Sequence, residues 1–430
     1  EGIPADEFTR VIRVDPVRKG LLYAGTERGV WLSFDAGAHW QSLRLNLPQV
    51  PVHDLVVKEG DLAIATHGRA FWILDDVSPL RQLGPETLVG PAHLFAPRDA
   101  WRIFWGAGAL IENLKAGANP PSGAFIYYWL KDKNQEVTLD ILDAGGAVVN
   151  SFASRPDSIA LADSLRLEEK KRIRNDSLKT AGITDSARLA APYVEPPSDE
   201  EVNKLGPLPR APNKQGLNLF TWSFRYADGV AVSDTTFALQ RINGATAVPG
   251  AYAVRLTVGG KSQIQRFALK ADPRVSAGPA DFRARLGLAQ RISAAMTEVV
   301  GVINGMAALR RQAAERRTRA AGNTALAGTL GRLSDSLSAW SHRLATPRRV
   351  GFDYDPYSTS SFSELQRFSY GDMNAAPNQA ERTGSAEALG RARQTLVDVK
   401  RAIAATLPAV NDALRAAGLE PLAAGPALGG

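Results

Sequence analysis

The chain has 430 residues, 44% of them hydrophobic, which is enough for two to four folded domains. Its 51 basic and 44 acidic residues leave a formal charge of +7, without the concentrated basic stripe and interleaved aromatics of a nucleic-acid-binding protein. The absence of cysteine excludes disulfides, thiol catalysis and cysteine-based metal sites, and no run of about 18 apolar residues signals a membrane span.

The opening residues Glu1-Gly2-Ile3-Pro4-Ala5-Asp6-Glu7 lack the basic and apolar regions of a signal peptide, so export would require a signal upstream. Residues 10–14, 21–24, 29–33 and 39–43 then read as short strands, with alternating apolar and polar positions punctuated by Gly, Asp and Pro. A second unit follows at residues 52–57, 61–65 and 70–74. A shift of roughly 40 residues superposes Thr26 on Thr66, Trp31 on Phe71 and Asp35 on Asp75, the period of four-stranded propeller blades. Two blades cannot close a propeller. The missing blades are therefore expected upstream in the same polypeptide or on a partner chain, because open sheet edges invite aggregation.

The first unit carries Ser33-Phe34-Asp35-Ala36-Gly37-Ala38-His39-Trp40, the pattern S-x-D-x-G-x-x-W. Asp35 can accept backbone N–H bonds across the turn, Gly37 allows a left-handed backbone, and Trp40 can pack the hairpin onto its sheet. Ser33, Asp35, Gly37 and Trp40 are thus expected to be structural. In the second unit only Asp75 is expected to survive from this motif. The motif is complete as an Asp-box. With Leu22-Tyr23-Ala24-Gly25-Thr26-Glu27-Arg28-Gly29-Val30-Trp31 before it, the region resembles BNR-repeat proteins with a sortilin-like (VPS10-type) β-propeller. Thr66 to Asp76 is similar to the closing-blade signature of bacterial members, which are often labelled glycosyl hydrolases. Asn119 to Ala124, Gly216 to Trp222 and Pro249 to Tyr252 are similar to their downstream region. The resemblance implies an exported protein, secreted, periplasmic or on the cell surface.

From Ala124 the pattern is again one of strands: 124–130, 137–142 and 147–152, then 217–226, 251–258 and 262–269, with glycine turns at 145–146 and 259–260. Such short strands predict an immunoglobulin-like β-sandwich. Residues 154–215 between its halves are polar, charged and proline-rich, and read as an inserted surface loop with one helix over Leu165 to Ile173. Trp101, Phe104 and Trp105 are expected to pack between domains. Tyr127, Tyr128 and Trp129 are expected to alternate into a core.

The last third has helical periodicity. The first stripe is Leu286, Ala289, Ile292, Met296, Val299, Ile303 and Met306, with Asp281 as its cap. The second is Leu326, Leu330, Leu333, Leu337, Trp340 and Leu344. The third is Leu389, Leu396, Val399, Ile403, Val410 and Leu414, with Pro408 expected to bend it. Three stripes predict an antiparallel helical bundle. Arg310, Arg311, Arg316, Arg317 and Arg319 read as a solvated basic end. The aromatic segment Gly351 to Tyr357, with Phe362, Phe368 and Tyr370, reads as pinned onto another surface, that of the bundle or, alternatively, of a partner.

The expected organisation is therefore mainly β, then α: terminal propeller blades over 1–90, the sandwich over 91–275 and the bundle over 276–425. The five histidines show no metal-ligand spacing, and no phosphate loop, dinucleotide fingerprint or nucleophile elbow occurs, so neither cofactor nor metal is expected. Asp75 and Asp76, as strand neighbours, should point to opposite faces and make a poor catalytic pair. The reading that follows is an exported propeller acting as a binding or scaffold protein for a protein, peptide or glycan. Its rivals are a sialidase-like glycoside hydrolase with catalytic residues on upstream blades, and a subunit of an extracellular assembly.

Overall fold

The computed structural model describes residues 1–103, 120–154, 172, 174–176, 209–230, 242–320, 322–347, 358–369 and 374–429. The predicted helix over Leu165 to Ile173, apart from residue 172, lies outside them. So do most of the predicted insertion, Phe104, Trp105, Gly351 to Tyr357 and Tyr370. Strands occupy the first part of the chain and helices the last, and the chain divides into two compact units.

The first unit comprises residues 1–155, 210–223 and 250–272 and holds all the named strands. Its first sheet has the order β1 (Thr9–Val14), β2 (Leu22–Thr26), β3 (Val30–Ser33) and β4 (Gln41–Ser42). Its second is β5 (Val52–Lys58), β6 (Asp61–Thr66) and β7 (Phe71–Leu74). Both are antiparallel meanders. They share one core, in which Leu21, Tyr23, Val30 and Leu32 meet Val52, Leu55, Leu62 and Ile64. β1 and β5 run side by side, where Arg13 Nε donates to the Leu55 carbonyl at 2.9 Å.

Register corrects the sequence superposition by one residue. Trp31 pairs with Ala24 in the first sheet, whereas Trp72, not Phe71, pairs with the matching Ile64 in the second. Both hairpins close alike, since Thr26 and Thr66 each donate N–H to one carbonyl across the turn, that of Gly29 or Ala70, and each holds its hydroxyl oxygen within 3.0 Å of that carbonyl. Thr26 and Gly29 are separated by two residues and Thr66 and Ala70 by three. Past that extra residue Val30 matches Phe71, Leu32 matches Ile73, and Asp35 matches Asp76 rather than Asp75. A small difference in a turn changes which side chains correspond.

Further strands form two more sheets. One has the order β13 (Gly216–Trp222), β10 (Ala124–Leu130) and β8 (Ala92–Leu94). The other is β12 (Val148–Ala153), β11 (Val137–Leu142), β14 (Gly250–Val258), β15 (Lys261–Ala271) and β9 (Ala100–Arg102). Among the described strands only the β15–β9 pair is parallel. Alternate residues of β10, from Ala124 through Ile126 and Tyr128 to Leu130, are fully buried, which is the period-two pattern of a strand with one face on a core. Aromatic contacts join the two sheets: Phe152 with Phe220 at 4.6 Å and Trp222 with Tyr252 at 5.2 Å between ring centroids. The Gln263 amide stitches β15 to β8, accepting from Leu94 N and donating to Ala92 O, both at 2.9 Å.

The second unit takes in residues 224–249 and everything from Pro273 onward. Its long helices are α2 (Pro279–Arg319), α3 (Thr324–Leu344) and α5 (Gln379–Ala416), with the five-residue α1 (Ser78–Gln82) belonging to the strand unit and the short α4 (Ser361–Gln366) to this one. Their stripes share one core with Ile242 and Phe362. Asp281 is not the cap of α2. Gly278 is, and the Asp281 carboxylate accepts the Gly278 N–H at 2.8 Å from the third helical position. The buried stripe of α2 starts with Phe282, Arg285 and Leu288 rather than Leu286 and Ala289. A charged residue occupies that apolar register because Arg285 pairs with Glu381 of α5 at 2.9 and 3.0 Å. Likewise Arg316 is buried, not solvated, and is bonded to the Glu420 carboxylate at 2.9 Å. α2 is long and apolar enough to cross a membrane, with a window of mean hydropathy 1.5, and half of that window is buried within the protein. Pro408 lies inside α5.

Candidate functional site

The four residues of the Asp-box pattern come together in the turn after β3. Ser33, at the end of the strand, donates its hydroxyl to Asp35 Oδ1 at 2.8 Å and accepts the Gly37 N–H at 2.9 Å. Asp35 Oδ1 also accepts the His39 N–H at 2.8 Å, while Oδ2 meets His39 Nδ1 at 2.6 Å. Ala36 and Gly37 turn the chain with φ of 58° and 95°, the left-handed region where glycine is at ease. The Trp40 ring lies against Gly37, and Trp40 N–H donates to the Glu1 carbonyl at 2.8 Å. The backbone and ring of His39, and then Ser33, hold the Asp35 carboxyl well below the usual carboxylate range. The Ser33 hydroxyl and both Asp35 carboxylate oxygens are engaged within the turn itself.

The matching turn of the second sheet is built differently. Asp76 also has a left-handed backbone, with φ of 60°. Its Oδ1 accepts the Ser78 N–H at 3.0 Å, ahead of α1, and its own N–H donates to Asp61 Oδ1 at 3.0 Å. Arg98 Nη1 donates to that same Asp61 oxygen at 2.6 Å. The turn from β5 into β6 permits this approach through Gly60, whose φ is 102° and whose added Cβ would lie 3.3 Å from Arg98 Nη1. Asp76 is 4% exposed, and among the described residues its Oδ2 has no hydrogen-bond partner. An orphaned, buried carboxylate oxygen is uncommon and calls for a reason.

Asp75 and Tyr127 of β10 complete this group. Burial, then repulsion from Asp61, pushes the Asp75 carboxyl up. Burial is also the main cause raising Asp76, against the Ser78 hydrogen bonds and the Arg98 charge. Burial, then the nearby Asp76 and Asp75 charges, raises the Tyr127 hydroxyl. The sequence offered Asp75 and Asp76 as a visible pair expected to diverge. They lie just beyond β7, and the left-handed turn at Asp76 replaces strand alternation. Asp61 and Arg98 were missed, since nothing local in the sequence links them.

A cleft of about 160 Å³ lies against the first sheet, lined by residues including Glu7, Arg28, Trp31, Arg44 and Gln49. Glu7 is buried at its edge, and its Oε1 accepts from the Thr26 hydroxyl, from Arg28 N at 3.1 Å and from Trp31 Nε1 at 3.3 Å. No motif in the sequence pointed to this cleft.

The aromatic groups divide. Tyr128 is fully buried and donates its hydroxyl to the Pro212 carbonyl. Tyr127 and Trp129 alternate with it at the half-buried positions of β10. Trp101 is exposed, with Lys270 Nζ 5.5 Å from its ring centroid. His53 and His67 stack with centroids 5.2 Å apart. Among the described residues, no three His, Asp or Glu side chains converge as a metal's ligands would.

No family model matches the chain, and no curated protein matches it. One solved structure does: the extracellular domain of a protein described as a one-component system of B. thetaiotaomicron, at 10% identity and a TM-score of 0.15. The match covers 64% of this chain and 26% of that one.

Proposed function

We propose that the chain is the C-terminal portion of an exported β-propeller protein of the BNR-repeat, sortilin-like kind that acts in binding or as a scaffold. In this reading the first two sheets are terminal blades, β8 to β15 form an immunoglobulin-like sandwich, and the three long helices form an antiparallel bundle. The ligand is a protein, peptide or glycan, and further blades, upstream or on a partner chain, complete the propeller.

One observation carries the reading. The first sheet buries Val30 and Leu32 against its neighbour, at 0% and 5% exposure. The matching residues of the second sheet, Phe71 and Ile73, are 81% and 62% exposed. The same face is thus built twice from large apolar side chains and covered once. Exposed apolar surface rimmed by polar groups marks an interaction site. The closed Asp35 turn fits a motif that shapes a blade rather than one that performs chemistry.

The test compares the 430-residue chain with the protein carrying its natural upstream sequence, by oxidative footprinting at Phe71. Strong protection of Phe71 in the longer protein is the expected result. Equal reactivity in both would end the reading. Phe71→Ser should leave the 430-residue chain folded, with its thermal stability unchanged.

A further inference from the structure

We propose that Asp75, Asp76 and Tyr127 form a binding site for an organic cation, a guanidinium or primary ammonium group. This stands apart from the propeller reading, since it rests on the chemistry of one cluster and not on the number of blades.

The group combines three carboxylates with the Arg98 guanidinium, and Arg81 Nη1 also lies beside Gly60. Arg98 is committed to Asp61 at 2.6 Å, and Arg81, the next cation, to Asp15 at 3.0 Å. Asp61 Oδ1 is further occupied by the Asp76 N–H. Three acceptors are left over. Asp76 Oδ2 is enclosed and unpartnered, the half-buried Asp75 carboxylate makes no hydrogen bond or ion pair among the described residues, and neither does the Tyr127 hydroxyl. An enclosed acceptor without a partner is a feature that a ligand's donor would satisfy.

The acceptors also select the ligand. Among the described residues no three carboxylate or imidazole groups close around a point as a metal shell requires. A guanidinium instead offers five N–H donors in a planar fork, and an ammonium three, which can satisfy oxygens spread over a wider area. Either would lie between the more accessible Asp75 and the deeper Asp76, with the Tyr127 oxygen as a neutral acceptor.

The cation's source is either a free small molecule or an arginine side chain of a polypeptide, and two probes separate them. The full chain is titrated with methylguanidinium chloride and with a capped Gly-Arg-Gly peptide, with tetramethylammonium chloride as the donor-free control at equal ionic strength. The readouts are thermal stability and the NMR signals of Tyr127. Saturable stabilisation by either guanidinium probe, absent with tetramethylammonium, is expected. Tighter binding of the peptide assigns a protein source, and equal binding a free cation. Asp75→Asn should weaken binding about tenfold or more. This side chain holds no hydrogen bond, so the variant should fold. Tyr127→Phe should weaken binding less, and Asp132→Asn, at an exposed carboxylate of another turn, should leave it unchanged. Failure of both guanidinium probes to bind saturably, or undiminished binding by Asp75→Asn, overturns the proposal.

Discussion

The turns that follow β3 and β7 occupy the same place in two successive sheets, and each is organised by one aspartate. Asp35 lies at the surface with both oxygens engaged, and its carboxyl is held well below the usual range. Asp76 is enclosed with one oxygen engaged and one orphaned, and its carboxyl is raised. The difference follows from what surrounds each turn. The first turn supplies its own donors from Ser33, Gly37 and His39. The second is buried among Asp61, Asp75 and Tyr127, with few donors within reach. One topological position has therefore been used once for local architecture and once for an electrostatic site.

The largest expected effect tests the correspondence of the two sheets. Leu32→Ala, in the shared core, should lower stability by about 2–5 kcal/mol through lost burial and the cavity left behind. Ile73→Ala, at the matching but exposed position, should stay within about 0.5 kcal/mol. Urea denaturation of both variants checks this, and equal losses would break the register assignment.

The next effect is one of pH, with opposite signs at the two turns. Asp35 has a depressed pKa when folded, so its contribution is present above its unfolded value near 3.8 and fades as pH falls below it. Asp76 has a raised pKa, so its contribution is full below that value and fades as pH rises through the folded pKa. Asp35→Asn should therefore be most destabilising at neutral pH and converge with the unsubstituted protein in acid. Asp76→Asn should flatten the decline in stability from pH 4 upward, and it keeps an acceptor for Ser78 N–H. Thermal melts across the pH range measure both, and parallel profiles for the two variants would contradict the contrast.

A smaller effect concerns the approach of Arg98 to Asp61. Gly60→Ala places a side chain at a φ of 102° and within 3.3 Å of Arg98 Nη1. The expected loss is about 1 kcal/mol or somewhat more, with a shift in the Tyr127 signals as the cluster loosens. An unchanged Tyr127 environment would show that the Asp61–Arg98 pair does not organise the cluster.

The sequence by itself determined most of the strands, though not the short β8 and β9, together with the long helices and the Asp35 turn. Each of these rests on spacing along the chain: alternation along β10, three- and four-residue steps in α3 and α5, and donors within four residues of Asp35. Such local patterns are legible because the backbone geometry that reads them is fixed. Tertiary structure alone decided the rest. Arg285 and Arg316 are buried because Glu381 and Glu420, about a hundred positions away, arrive to pair with them. The one-residue offset that aligns Asp35 with Asp76 lies in a turn whose length only the strand register reveals. The cluster around Asp76 gathers Asp61, Arg98 and Tyr127 from three other segments, and burial rather than residue type gives it its chemistry. Neither burial nor the distance between segments far apart in sequence is written in spacing, which is why that site emerges only when the sheets come together.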